Sequence, residues 1–316
     1  MFSLSGRRIW VAGHRGMVGG ALVRRLQADG HQVITAGRER VDMVRQAEVE
    51  AFVAAEKPDV VVIAAARVGG IAANAARPVD FLYDNMMIEA NIMAAAASAK
   101  VAKLLFLGSS CIYPRLAPQP MAEAALLTGP LEETNQWYAV AKIAGIKLAE
   151  AYRRQHGLDF ISAMPTNLYG PGDNYDLESS HVIPALLRKA IEARDSGAAE
   201  MVVWGSGTPL REFMHVDDLA DALVFLLESY SEDAHINVGS GIEVTIAEVA
   251  QTIADTVGFK GRLVFDRSRP DGTPRKLMDS TRLLAMGWRP RIGLQDGLAD
   301  AYSHFLESDR ARFATA

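Results

Sequence analysis

A short apolar run, RIWVAG at 8–13, leads straight into Gly13-His14-Arg15-Gly16-Met17-Val18-Gly19 and then into a helical pattern that lasts to about 29. Glycines at G-x-x-G-x-x-G spacing remove the Cβ atoms that would block a tight turn and a close approach of backbone to phosphate. The helix start beyond them favours negative charge. Strand, glycine turn and helix in that order open a dinucleotide-binding unit. Similar turns also occur in α/β proteins that bind no cofactor, so the motif needs support from the rest of the chain.

The alternation continues. Apolar strands at 31–35, 59–66, 103–107 and 160–164 are separated by helical stretches at 44–56, 84–100 and 138–155. This predicts an α/β fold, a Rossmann-type doubly wound parallel sheet with right-handed crossovers. From Gly170 the regular alternation breaks, and a smaller C-terminal α/β unit is expected. The NADP-binding domain then covers 1–167 plus about 215–238, and the substrate-binding domain about 168–214 plus 239–316. At 316 residues the chain can bury a large core. Its net charge of −5 gives no reason to expect nucleic acid. No apolar run approaches the ~20 residues a membrane helix needs, and 1–6 lacks the apolar core of a signal peptide. Cys111 is the only cysteine, so no internal disulfide is possible and a reducing, cytoplasmic setting is expected. No metal is expected.

In open parallel sheets, ligands sit at the carboxyl ends of strands. Strand 103–107 ends in Gly108-Ser109-Ser110-Cys111, which puts a hydroxyl and a thiol at such an end. Each has a plainer reading, the serine as a turn cap and the cysteine as a buried inert thiol. Tyr138 and Lys142 lie four apart on a helix and share one face. An ammonium beside a phenol favours the phenolate, and such a pair can pass a proton to or from a carbonyl oxygen. The spacing alone is common on exposed helices.

Where an NAD-binding fold carries Asp or Glu for the ribose, this chain has Ala36 and Gly37, followed by Arg38. Arg15 in the glycine loop adds a second guanidinium. Two of them suit a 2′-phosphate and point to NADP, the alternative being two solvated surface charges. Asp42 and Met43 would lie near the adenine. Ala64, Ala65 and Ala66 are small enough to let a cofactor approach the strand end. The Pro-rich stretch 115–135 reads as a long loop and a candidate lid. Further on, His181 opens a helix that continues through Lys189, and Thr245 with Glu248 forms a capping box. Arg211, Arg275 and Lys276 either neutralise a diphosphate or belong to a solvated basic loop.

Together these residues resemble the extended short-chain dehydrogenase/reductase family nearly end to end. The likeness lies in GHRGMVG at 13–19, AARVGGIAAN at 65–74, NMMIEANI at 85–92, LLFLGSSCIYP at 104–114 and YAVAKIAGIKL at 138–148. It continues in MPTNLYGP at 164–171, SHVIPALLRK at 180–189, VVWGSGTPLREFMHVDDLA at 202–220 and PDGTPRK at 270–276. The branch it is most similar to implies an NADPH-dependent enzyme. That enzyme epimerises GDP-4-keto-6-deoxy-mannose at C3 and C5 and then reduces the C4 ketone.

The resemblance implies Tyr138 as proton donor to the C4 oxygen, Lys142 as its support and a nicotinamide-ribose contact, and Ser109 as holder of that oxygen. It implies Cys111 as base and His181 as acid in epimerisation. Cofactor contacts would fall on Gly13, His14, Arg15, Gly16, Met17, Val18, Gly19, Arg38, Asp42, Met43 and Ala65. They would continue with Leu107, Gly108, Ser109, Lys142, Pro165, Thr166, Asn167, Leu168 and His181. Substrate contacts would be Lys189, Trp204, Arg211 and Asp271, with Lys276 near the phosphates. Lys189 departs from the arginine the family often carries, which keeps charge but loses the bidentate fork. Relatives pair through the helices near 85–100 and 138–155, which implies a homodimer.

The chemistry agrees with the residues. A 4-keto group acidifies the C3 and C5 hydrogens, a thiolate can remove them, and Ser109 with Tyr138 can stabilise the enolate oxygen. The competing readings are an NAD-retaining nucleotide-sugar 4-epimerase or 4,6-dehydratase and a regulatory NADP-binding protein. A dehydratase is expected to carry an Asp-Glu pair where this chain has Ser110-Cys111. A regulatory protein is expected to lose the Tyr/Lys pair, which is present here.

Overall fold

The structure, a computed structural model, describes residues 1–309 apart from Glu178 and Pro270. The first strand, β1 (Arg8–Ala12), is followed by α1 (Met17–Ala28), β2 (Gln32–Ile34), α2 (Gln46–Glu56) and β3 (Val60–Ile63). Then come α3 (Ile71–Ala76), α4 (Asn85–Ser98), β4 (Lys103–Leu107), α5 (Gln136–His156), β5 (Phe160–Pro165) and β6 (Asn167–Tyr169). The second half supplies α6 (Val182–Asp195), β7 (Glu200–Trp204), β8 (Leu210–His215), α7 (Val216–Ser229) and β9 (Ile236–Val238). It ends with β10 (Glu243–Thr245), α8 (Ile246–Val257), β11 (Arg262–Asp266), β12 (Arg275–Lys276), α9 (Thr281–Ala285) and α10 (Leu294–His304).

Six of these strands form one parallel sheet in the order β2-β1-β3-β4-β5-β9. Because side chains alternate across a strand, each strand feeds two cores. Ile9, Val11, Val60, Val62, Leu105 and Ile161 face α1 and α7. Trp10, Val61, Ile63, Leu104, Phe106 and Phe160 face α2, α4 and α5. This is the doubly wound architecture expected from the alternation. β7 and β11 pair in parallel, and β8 pairs with β6, β10 and β12. A third core packs α6, α8 and α10 through Leu186, Leu187, Ile191, Val249, Ile253 and Leu298.

Strand ends are shorter than the apolar runs suggested. The run at 59–66 pairs only over Val60–Ile63, and Ala64 gives a last hydrogen bond, N to Ala12 O, at 3.0 Å. Ala65 is thereby left beside the glycine loop. The helix expected from 44 starts at Gln46, because Asp42 side-chain and backbone oxygens capture Val44 N and Arg45 N in a turn. The capping box at α8 is present, with Glu248 N donating to Thr245 Oγ1 at 3.1 Å and Thr245 N to Glu248 Oε2 at 2.7 Å. The stretch 115–135 is not a free lid. Met121 N bonds to Leu277 O, Asp279 N to Met121 O, and Leu277 N to Gln119 Oε1, so the loop is stitched to the residues after β12.

Two buried carboxylates tie the second half together. Glu212 accepts from Gly241 N at 2.7 Å and Met278 N at 3.1 Å, and Asp218 accepts from Ile292 N at 2.9 Å. Among the described residues no helix is long and apolar enough to cross a membrane.

Candidate active site

At the carboxyl end of β1 the chain turns through the glycine loop. A Cβ on Gly19 would stand 2.1 Å from Gly13 O, and one on Gly13 would meet Ala65 N at 2.6 Å. Only hydrogen fits at either position, which lets α1 start directly against the sheet. Gly16 is its N-cap, and no side chain caps the helix. The first amides of α1, at Met17, Val18 and Gly19, are therefore offered to an anion rather than to a side chain. His14 Nδ1 is buried there without a partner. Those features fit a dinucleotide diphosphate.

The two guanidinium groups assigned to a 2′-phosphate do lie beside this loop, but each holds a carboxylate. Arg15 makes a bidentate pair with Glu39 at 2.6 and 2.9 Å, and Arg38 meets Asp42 at 3.2 Å. All four of Arg15, Glu39, Arg38 and Asp42 keep accessible surface, so these pairs exchange readily for a ligand. Asn91 on α4 fixes Met43 through its carbonyl at 3.0 Å. Asn85 on the same helix holds Arg67, accepting from its N at 2.8 Å. Both asparagines thus fasten loops to α4. At the end of β5, Thr166 and Asn167 turn their side chains onto Glu212 O, at 3.4 and 2.8 Å. Leu107 and Leu168 pack into the core shared with α1 and α7.

Ser109 plays the plainer role considered for it as well as standing at the strand end. Its Oγ accepts from Cys111 N at 3.5 Å and caps the short 3₁₀ turn Ser110–Ile112. That turn presents the Cys111 thiol, which is buried. Burial pushes the thiol up from its ordinary value, while Lys276, Ser109 and Lys142 pull it down. The Tyr138 phenol is pushed well up by burial and then by Cys111 and Glu89. The expectation that Lys142 would drive Tyr138 toward phenolate is therefore not met in the free protein. Lys142 Nζ stands 5.7 Å from the Tyr138 ring centroid and 2.8 Å from Glu89 Oε1. Its nearest charged neighbour is that carboxylate.

His181 is the N-cap of α6, with its side chain free of any capping bond. Burial, then Lys276, lowers it from its ordinary value. His181, Tyr138 and Lys276 are crowded by protein atoms yet keep accessible surface. Groups that line a deep, narrow cleft behave in this way. Lys276 reaches both Cys111 and His181, so it belongs to the buried end as much as to any phosphate position, with Arg211 adjacent.

Outside this end lies a cationic rim. Lys189 Nζ sits 4.4 Å and the Arg269 guanidinium 4.9 Å from the centroid of Trp204, a ring 56% exposed. The indole is the electron-rich partner of both cations, and its open surface is of the kind on which a planar base can stack. Asp271 accepts from Ser206 N at 2.6 Å and Ser206 Oγ at 2.8 Å, fixing the turn after β7. Arg275 is bound to Glu243 at 2.6 and 2.7 Å, so of the three expected cations only Lys276 and its neighbour Arg211 stand near Cys111. Sequence reasoning missed Glu89 and Arg269. The signal for Glu89 was present: with Asn85, Ile92 and Ala96 it lies on a buried stripe of α4.

The sequence model of the NAD dependent epimerase/dehydratase family matches residues 9–239. A GDP-L-fucose synthase of Sinorhizobium fredii is 58% identical, covering 98% of this chain and 98% of that protein. The GDP-L-fucose synthase of Escherichia coli K12 is 55% identical over 98% of this chain and 100% of its own length. Among solved structures, a GDP-L-fucose synthetase from Naegleria fowleri bound to NADP superposes with a TM-score of 0.88 at 28% identity, covering 97% of this chain and 96% of that one. With most of its length matched by the family model and a cofactor loop built as that family requires, this chain belongs to the NAD dependent epimerase/dehydratase family.

Proposed function

We propose that this chain is an NADPH-dependent epimerase-reductase that converts GDP-4-keto-6-deoxy-mannose to GDP-L-fucose. The observation that supports the reading is the chain of contacts and mutual electrostatic influence that links Ser109, Cys111, Tyr138, Lys142, Lys276 and His181, in a chain 58% identical to a GDP-L-fucose synthase. NADPH, when bound along the glycine loop, supplies a hydride to the C4 carbonyl. Met17, Val18 and Gly19 amides would hold its diphosphate, and Arg15 and Arg38 its 2′-phosphate after release from Glu39 and Asp42.

Cys111 removes the proton on C3 and then on C5 as a thiolate, favoured by the nearby Lys276 ammonium. Negative charge then develops on the C4 oxygen, where Ser109 and Tyr138 hydroxyls donate to it. His181 returns a proton from the opposite face. In the reduction Tyr138 gives its proton to the C4 oxygen, and the Lys142 ammonium stabilises the phenolate that remains. Trp204 with Lys189 and Arg269 would stack the base, while Arg211 neutralises phosphate. The division into a cofactor domain and a substrate domain near residue 168 is supported by the separate third core around α6, α8 and α10. Exposed Tyr83 just before α4, Met86 on α4 and Val140 on α5 support a homodimer.

The test is incubation of the protein with GDP-4-keto-6-deoxy-mannose and NADPH, followed by NMR of the sugar. GDP-L-fucose formed with one NADPH oxidised per sugar is the expected result. A sugar reduced at C4 with one NADPH oxidised but not inverted at C3 and C5 would identify a plain 4-reductase instead.

A further inference from the structure

Beneath the Tyr138–Lys142 pair lies a carboxylate that the scheme above leaves unused. Glu89 is 2% exposed, and its Oε1 stands 2.8 Å from Nζ of Lys142, also 2% exposed. The contact is an ion pair off hydrogen-bond alignment, and Oε2 has no partner. Helix α5 makes the room: a Cβ on Gly145 would come within 2.5 Å of Oε2. Nζ also rests 4.7 Å above the Phe106 ring. Burying a lone charge of either sign here carries a large solvation cost, and the pair offsets it. The other titratable groups facing the pair are Tyr138 from α5 and Cys111 from the turn after β4, with Lys276 acting on Cys111 from β12. The phenol and the thiol are both neutral when protonated. Glu89 is thus the carboxylate that holds Lys142.

We infer that Glu89 is a positioning residue for the reduction: it anchors the buried Lys142 ammonium beneath Tyr138. The phenolate left when Tyr138 gives up its proton therefore faces a cation. This rests on the roles proposed for Tyr138 and Lys142, and its test is built to fail separately from them.

Glu89→Gln keeps the side-chain shape and removes the charge. With GDP-4-keto-6-deoxy-mannose and NADPH, reduction should slow about tenfold or more above pH 8, and the alkaline limb of the pH profile should move down by about one unit. The KM for the sugar should stay within about threefold, as for loss of a transition-state interaction. A profile superposable on wild type would overturn the inference. A melting cycle needs no substrate: Glu89→Gln with Lys142→Met should melt above Lys142→Met alone, which strands a buried carboxylate. Additive shifts in that cycle would also overturn it. Coupled melting in a protein that does not reduce this sugar would instead retain the Glu89–Lys142 linkage and sink the substrate reading.

Discussion

The buried end of the cleft and its open rim treat charge in opposite ways. Around Cys111, Tyr138 and His181, burial dominates: the thiol and phenol are pushed up and the imidazole down, so each is neutral in the free protein at neutral pH. The Glu89–Lys142 pair lies there too, sealed from water: burial pushes the Glu89 carboxyl up and Lys142 pulls it back down. At the rim Lys189 and Arg269 lie on the open Trp204 ring, and along the cofactor loop Arg15–Glu39 and Arg38–Asp42 pair at the surface. An accessible pair contributes about 0.2–1 kcal/mol and yields to a ligand. Breaking a buried one costs about 3–5 kcal/mol. The contrast separates labour: the rim can exchange partners and so binds, whereas the buried end holds neutral acids and bases whose charges appear only as the reaction proceeds.

If that separation holds, changes at the buried end act on turnover and changes at the rim on binding. The largest effect belongs to Tyr138→Phe, which should lower NADPH-dependent reduction by about 100- to 10,000-fold while leaving NADPH binding by fluorescence within about twofold of wild type. A loss below tenfold would dissolve the distinction.

A second effect tests the protonation states. Inversion at C3 needs the thiolate of a thiol raised by burial together with the imidazolium of a histidine lowered by it. As pH rises between the two, the first fraction grows as fast as the second falls. The rate of inversion should therefore be nearly flat from about pH 7 to 8.5. In His181→Asn inversion is lost, and residual exchange, needing only thiolate, should rise about tenfold per pH unit. A wild-type rate that climbs with the same slope would exclude His181 as the acid.

Rim changes should be smaller and of a different kind. Trp204→Ala should raise the KM for the GDP-sugar about tenfold, in line with the ~1–3 kcal/mol of a base–aromatic stack, with kcat within about threefold. Smallest of all, Arg38→Ala should weaken NADPH several-fold more than NADH, read from the two KM values. Equal effects on both cofactors would leave Arg38 as a surface charge held by Asp42.

The sheet was legible because its signals are local. Apolar runs such as KLLFL at Lys103–Leu107 and the glycine loop each require only neighbouring residues, and they lie where expected. Tyr138 and Lys142 share a helix and could be paired by spacing. What could not be read was how charges meet across elements. Arg15 and Arg38 were seen as free cations because Glu39 and Asp42 closing on them is a matter of loop geometry. Arg275 was grouped with Arg211 and Lys276, yet its partner Glu243 arrives from β10, far along the chain. Lys142 was assigned to Tyr138 because the carboxylate of Glu89 comes from α4, 53 positions earlier by the numbering. The stretch 115–135 looked unattached for the same reason, since its bonds run to Leu277 and Asp279.

The most direct test of one cleft serving two reactions is to run the conversion in D₂O with wild type and Cys111→Ala and to read deuterium at C3 and C5 by NMR. Wild type should give GDP-L-fucose carrying deuterium at both carbons. Cys111→Ala should give a sugar reduced at C4, with hydrogen retained and configuration unchanged at C3 and C5. Deuterium entering the Cys111→Ala product at the wild-type rate would contradict the account.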